Sequence, residues 1–368
     1  MGGAPAPSKE GPRRPPRRRF AVLGLLTLLL GLGVFLSPLL GTFYVAPETV
    51  LRILFHQVSG GALFPNPCGG TSVPGSGCSG LVEIVWDARL SEVMLAVIVG
   101  AGLGISGGTL QGVFRNPLAD PFLLGLSSGA TLGTAVVVVF RIGVGEENLL
   151  LPLFAFVGAI ATGLVILAAA RSRFGSVETL LLTGVALSSF LTAILSLLLV
   201  FSPTGSLQVD FWLLGNLGSL DWSQDGIVFG VVLVAGTLLV TYGRELNLLQ
   251  LGPDVAQSLG VDARKVRLRL LLLASVTTAA AVAFTGVIGF VGLVSPHVVR
   301  RVAGSDYRVV LPGAALVGAG FLLLARDLSL VAFPGTLLPI GIFTSFVGAP
   351  FFAYLLFRGR RASTMGGP

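Results

Sequence analysis

The stretch LLLLASVTTAAAVAFTGVIGFVGLVSPHVV, residues 270–299, runs without a single Asp, Glu, Lys or Arg and is bounded by basic clusters at both ends. About 20 apolar residues carry a helix across a bilayer. The stretch is therefore too long for one crossing and short for two. Its flanks decide how it is used. Arg264, Lys265, Arg267 and Arg269 precede it, and Arg300, Arg301 and Arg308 follow it. Basic residues collect on the cytoplasmic side of membrane proteins, so both ends of the stretch lie on that side. The chain must go out and come back, as two short crossings or a hairpin turning near Gly286, Gly289 and Gly292. A partly re-entrant element also satisfies the length, provided that protein or a watery cavity surrounds the irregular backbone.

Outward from this segment, further windows free of charged residues occur at 20–47, 93–114, 121–140, 148–170, 179–209, 226–243, 309–325 and 328–357. The same charge rule orders them. Twenty of the 24 basic residues fall on one side if that side holds the N-terminal tail, the clusters around 171, 264 and 300, Arg115 and the C-terminal arginines. Arg52, Arg89, Arg141 and Arg326 are left outside. Both termini are then cytoplasmic and the number of crossings is even. The expectation is an all-α polytopic membrane protein with a bundle of ten transmembrane helices over 20–358. Residues 1–19 are expected to be a disordered basic cytoplasmic tail, 41–88 an external loop, 244–267 a long cytoplasmic connection and 359–368 a second tail. The run 20–40 is long for a signal-peptide core and lacks a small-residue cleavage pattern, so it reads as a retained first helix.

Composition agrees. Hydrophobic residues make up 53% and charged residues 11%, against about 25% charged in an average soluble domain. Mean hydropathy is +0.90. This excludes a disordered chain and opposes a soluble globule. The net charge of +7 sits in loops, where it reports orientation and attraction to anionic lipid rather than nucleic-acid binding.

Chemistry-bearing residues are sparse. Cys68 and Cys78 lie in the Gly/Pro/Ser-rich external insert NPCGGTSVPGSGC, residues 66–78. An external compartment permits a disulfide there, and two separate thiols are the other reading. The pair alone does not make a metal site. Lys9 and Lys265 are the only lysines and neither follows a glycine, so no Walker A loop exists to cradle ATP phosphates. His56 reads as an exposed loop residue and His297 as a helix-terminus hydrogen bonder. No catalytic constellation or cofactor site is visible. Ion-coupled carriers keep ionisable groups at bilayer depth, whereas windows 179–209, 270–299 and 328–357 have none. Glu92 and Glu178 lie near span ends and read as interfacial. Glycines at 100, 104 and 108, and again at 125, 129 and 133, form small-residue ridges that let helices approach closely. Packing within one chain is their simplest use, ahead of a seam between subunits.

The segment GAGLGISGGTLQGVFRNPLADPFLLGLSSGATLG, residues 100–133, resembles the signature of the FecCD-type permeases, the type II ATP-binding-cassette (ABC) importer subunits for iron-siderophores, haem and cobalamin. Its distinctive core is Gln111, Arg115, Asn116, Pro117, Asp120 and Pro121. Similar segments follow in family order at 180–189, 211–222, 256–267, 284–316 and 338–356, so the likeness spans about residues 20–358. It implies a homodimer with the substrate path on its twofold axis, two cytoplasmic ATPase subunits that use ATP and Mg, an external binding protein, and the bacterial cytoplasmic (inner) membrane.

The resemblance also suggests roles. Asp254, Gln257, Leu259, Gly260 and Val261 match the segment that docks on the ATPase, against the alternative of a merely solvated loop. Ser176, Val177 and Glu178 fall on the cytoplasmic gate, against plain helix capping. Arg52, in ETVLRILF, and Arg326 are candidates for docking the binding protein, although a surface ion pair with Asp327 would equally explain Arg326. Two places depart from the family pattern. Ser91 and Glu92 replace an expected Pro and Arg. Arg326 replaces an acid, and Leu330 stands where an Arg is usual. The expected function is the permease subunit of an ABC importer for a ferric siderophore, with haem or cobalamin as alternative cargo. An ion-coupled secondary carrier is the rival from another class.

Overall fold

A chain of neutral spans in lipid must satisfy its backbone internally, and helices do so within each segment. All elements of the computed structural model are helical; it describes residues 16–70, 77–143, 147–171, 177–218, 222–332 and 338–364. Helix α1 (Pro16–Leu36) starts on a proline, whose missing N–H would have had no partner in the first turn. It takes in Arg17, Arg18 and Arg19, so the end of the expected disordered tail 1–19 is helical. Residues 41–88, expected as an external loop, carry structure of their own. They contain α2 (Pro47–Val58) and α3 (Gly77–Val82). A π-helical turn, Glu83–Leu90, continues α3 into α4 (Ser91–Phe114), giving one rod from Gly77 to Phe114. There follow α5 (Leu126–Phe140), α6 (Glu147–Arg171), α7 (Val177–Val200) and α8 (Pro203–Leu213). Next come α9 (Trp222–Thr241), α10 (Gly243–Gln250) and α11 (Pro253–Ser258). The chain closes with α12 (Ala263–Thr285), α13 (Val291–Ala303), α14 (Tyr307–Val331) and α15 (Ile340–Thr364).

Seven described spans are long and apolar enough to cross a membrane: those of α1, the α3–α4 rod, α6, α7, α9, α12 and α14. Helix α5 and the Ile340–Leu355 part of α15 are shorter apolar helices. Helix α13 has 13 residues, about 20 Å at 1.5 Å per residue, well short of a hydrocarbon core about 30 Å thick. The all-helical multi-span class is therefore as expected. The count of ten is reached only by including α5, α15 and the short α13.

The segment 270–299 resolves into the end of α12, a turn at 286–290 and most of α13. Irregular backbone at this depth needs partners, and it finds them in two other chain breaks. Asn216 N–H donates to the Thr285 carbonyl at 2.8 Å, Ile340 N–H to Gly215 O at 3.0 Å, and Gly341 N–H to Leu214 O at 3.1 Å. Glycine is required where these strands of backbone meet. A Cβ at Gly286, whose φ is +71°, would sit 2.1 Å from Trp212 O, and one at Gly341 would sit 2.2 Å from Leu214 O.

Helix α4 is the spine, buried from Gly102 through Phe114. It lies against α14 almost backbone to backbone. A Cβ added at Gly100 would meet Gly318 O at 2.3 Å, and one at Gly104 would meet Ala314 O at 2.1 Å. Gly107 meets Gly292 of α13 in the same way. The second ridge joins α5 to α6, through Gly129 on Gly158 and Gly133 on Phe154. Gly125 is not part of that ridge; at φ +73° it forms the turn into α5. Both ridges pack within the chain, where small residues supply close van der Waals contact that lipid cannot replace.

Two further readings change. His56 lies in the last turn of α2, with Nδ1 2.9 Å from Phe64 O, rather than in a loop. His297 lies inside α13, not at its end, and meets the Phe351 ring edge-on at 5.5 Å.

Candidate functional site

The connection 244–267 is two short helices and the start of α12, and its local chemistry explains why one part is fixed and the other free. In α10, Leu246 and Leu249 are buried in the main core. Its polar side chains grip the ends of two spans. Asn247 Nδ2 donates to Asp306 Oδ1 at 2.7 Å, and Asn247 Oδ1 accepts from Tyr307 N–H at 2.9 Å. Gln250 Nε2 donates to Gly112 O at 2.8 Å. Helix α10 is thus bolted to the start of α14 and the end of α4. Helix α11 then turns away at Gly252, φ +120°, with Pro253 in its first turn. Only Ala256 is buried there. Asp254, Gln257, Leu259 and Gly260 are exposed, while Val261 is half-buried against the core. Val255 and Leu259 are 44% and 53% exposed. Four residues apart, they share a side and present apolar surface. Asp262 caps α12 by accepting from Lys265 N–H at 3.0 Å, and that bond holds its carboxyl below the usual range.

The signature segment is a structural corner between α4 and α5. Gln111 is buried; its Nε2 donates to Gly292 O at 3.2 Å, and its Oε1 accepts from Arg300. Arg115 ends α4 in a left-handed conformation, φ +51°. Asn116 Oδ1 accepts from Leu118 N–H, and Pro117 is exposed. Asp120 caps the short turn Pro121–Leu124 by accepting from Phe122 N–H at 2.9 Å. Burial raises its carboxyl to about 6. Pro121 is buried close to Gly292. The segment thereby braces α13 through Gly292 and Arg300.

Of the expected gate residues, Ser176 lies outside the described residues. Val177 opens α7, and Glu178 is exposed in its first turn. A carboxylate there complements the helix N-terminus, which fits capping as well as gating.

On the other face, Arg52 lies on α2 and pairs with Glu48 at 2.5 Å, its guanidinium 5.9 Å from the centre of the Phe64 ring. Cys68 and Cys78 are joined by a disulfide with Cα atoms 5.8 Å apart, and Cys68 is buried among Val50, Ile53, Leu81 and Val85. Arg326, the other docking candidate, is buried in this chain. It is 2% exposed and pairs with Glu92 at 2.8 Å and Asp327 at 3.1 Å. The expected surface ion pair with Asp327 exists, but in the interior. Glu92, read as interfacial, is its main partner. The two departures from the family pattern are therefore one contact; their opposite charges fit that pairing, but charge alone does not single it out among 17 acidic residues. Asn247 and Gln250 were also missed; their spacing of three on an amphipathic helix was the available clue.

The chain breaks at 213–216, 286–290 and 339–341 border a groove of about 650 Å³. Leu213, Leu214, Val287, Gly289, Ile342 and Phe346 line it, and among the described residues no ionisable side chain does. Such a wall can pass a bulky solute without holding it.

Comparison with known proteins bears on these surfaces. A sequence model of the FecCD transport family matches residues 28–358. An uncharacterised ABC transporter permease, YvrB of Bacillus subtilis, is 38% identical over 93% of this chain and 95% of its own length. The hemin transport permease HmuU of Yersinia pestis is 42% identical over 75% of this chain and 84% of its own. The cobalamin import permease BtuC of Halobacterium salinarum is 43% identical over 74% and 73% respectively. Among solved structures, one described as an inward-facing conformation of a transporter assigned to the metal-chelate ABC type superimposes with a TM-score of 0.77 at 27% identity. It covers 92% of this chain and 99% of that one.

Proposed function

The chain belongs to the FecCD transport family, and from that premise we propose that it is the membrane permease of an importer whose cargo is a bulky preformed metal chelate, a ferric siderophore first among them. The observation that carries this reading is the division of labour at 243–261. Helix α10 is fixed to α4 and α14, whereas α11 offers Asp254, Val255, Gln257 and Leu259 to solvent. A chain with no nucleotide-binding loop needs a motor, and this is where one would push. The ATPase subunits, which supply the ATP and Mg chemistry, grip α11. Closure of the two ATPases moves α10, and rigid helices carry that motion to the path.

Two copies of the chain form the path between their groove-bearing faces. Exposed apolar side chains on α7, α8 and α15, including Phe190, Phe211 and Phe346, supply area for that contact. The Glu178 turn narrows its cytoplasmic end. On the outside, Arg52 meets a carboxylate of the binding protein. Both termini face the cytoplasm and the chain sits in the inner membrane. The named cargoes of the relatives, hemin and cobalamin, share one chemistry, a metal already wrapped in a large organic ligand. The ionisable-free groove suits that class, and selection among its members rests with the external receptor.

The test is ligand binding by the cognate external receptor, titrated in parallel with haem, cobalamin and several ferric chelates. Tight binding of a ferric siderophore, with haem and cobalamin ignored, is the expected result. Exclusive binding of haem or cobalamin would reassign the cargo.

A further inference from the structure

Helices α4 and α14 are held together at three levels, and the outermost is not explained by packing. At the cytoplasmic end α10 ties them through Gln250 on Gly112 O and Asn247 on Asp306 and Tyr307. In the middle they touch along Gly100–Gly318 and Gly104–Ala314. At the external end Arg326 Nη2 and Nε donate to Glu92 Oε2 at 2.8 and 3.3 Å. The same guanidinium reaches Asp327 Oδ1 at 3.1 Å and Ser37 O and Oγ at 3.4 Å, and Ser37 Oγ donates to Asp327. One turn earlier, Arg89 donates to Pro38 O at 3.2 Å and Phe43 O at 2.6 Å, fixing the chain that leads from α1 to α2. Beside Glu92, Ser91 Oγ donates to Asp225 Oδ2 of α9 at 2.5 Å.

We propose that the Glu92–Arg326 pair is the outer clasp of a transmission beam, α4 with α14, that couples the external docking face to the motor-gripping helix α11. A glycine seam has no side chains to resist sliding, so two helices joined only there can shift along each other. Clamping both ends converts the pair into one body. A displacement imposed at α10 then arrives at the outer ends of α1, α4 and α9 undiminished, and the reverse holds by linkage. Glu92 and Arg326 are positioning residues; neither lines the groove. The inference rests on the importer reading. A buried charge deprived of its partner is strongly unfavourable, so reversing one member breaks the clasp. A lysine at 326 keeps a cationic donor for Glu92 and Asp327, so Arg326→Lys retains part of the clasp.

The experiment uses the complete transporter, with its ATPase and loaded binding protein, in lipid nanodiscs. It reads the ratio of ATP hydrolysis with and without binding protein. Glu92→Arg and Arg326→Glu should each lower that ratio about tenfold, at unchanged basal hydrolysis. The conservative Arg326→Lys should keep it within about threefold of wild type. Where the single reversals fail to assemble, the neutral pair Glu92→Gln/Arg326→Gln should assemble yet lose stimulation. Normal stimulation in the reversals or the neutral pair overturns the proposal, as does an assembled Arg326→Lys variant no better than the single reversals. A wild-type complex that the binding protein fails to stimulate would instead strike at the importer reading itself.

Discussion

Gly104→Ala is expected to leave little folded protein. The new methyl would lie 2.1 Å from the Ala314 carbonyl oxygen, and that obstacle is backbone rather than a side chain able to swing away. Helices α4 and α14 would have to separate along their whole seam, disturbing Gly100 on Gly318 and the contact with α13 through Gly107. Overpacking of this kind costs about 3 kcal/mol or more, a large share of the stability of most proteins. Gly320→Ala on α14 is the matched control, because nothing lies within 4 Å of its added Cβ. It should be silent or slightly stabilising, since alanine is the better helix former by about 1 kcal/mol. Thermal unfolding followed by size-exclusion chromatography in detergent reads both. Equal melting temperatures for the two variants would contradict the seam.

Leu259→Asp is expected to abolish transport without touching the fold. Leu259 is 53% exposed, so the free chain loses little packing. In the assembled transporter its side chain would be buried against the ATPase, and burying a leucine is worth about 1.5–3 kcal/mol. Replacing it by a carboxylate removes that gain and adds a desolvation cost, so ATPase capture should weaken by about a hundredfold, the equivalent of roughly 2.7 kcal/mol. Co-purification of tagged ATPase and ATP-driven uptake should fall together, with the elution volume of the variant unchanged. Retained capture would show that the motor grips elsewhere.

These predictions also mark what was legible beforehand. Windows without charge and clusters of arginine read clearly, because lipid imposes a length on each crossing and the cytoplasm a charge on each loop. The turn at 286–290 was found for the same reason. The helices within 41–88 were not, because the Gly/Pro/Ser-rich insert at 66–80 follows α2, runs into α3 and reads as loop. The partners of Arg326 were hidden for a deeper reason. Spacing shows which face of one helix a residue occupies, but not which helix comes to meet it. Glu92 is separated from Arg326 by 234 positions, and only tertiary packing joins them. Asp254, Gln257 and Leu259 were suggested by the family resemblance, whereas the spacing of Asn247 and Gln250 marks a helix face without showing what that face grips. The reason is that Gly112 and Tyr307 contribute backbone groups, which carry no side-chain signal.

The central claim is that this chain is a conduit moved by a separate motor. The direct measurement is accumulation of a ferric chelate in sealed vesicles, with the binding protein on the receptor side, comparing the chain alone with the chain plus its ATPase. Uptake against a gradient should occur only with the ATPase present and ATP hydrolysed, and collapsing the proton and sodium gradients should leave it intact. Uphill accumulation by the chain alone, driven by an ion gradient without nucleotide, would contradict the account.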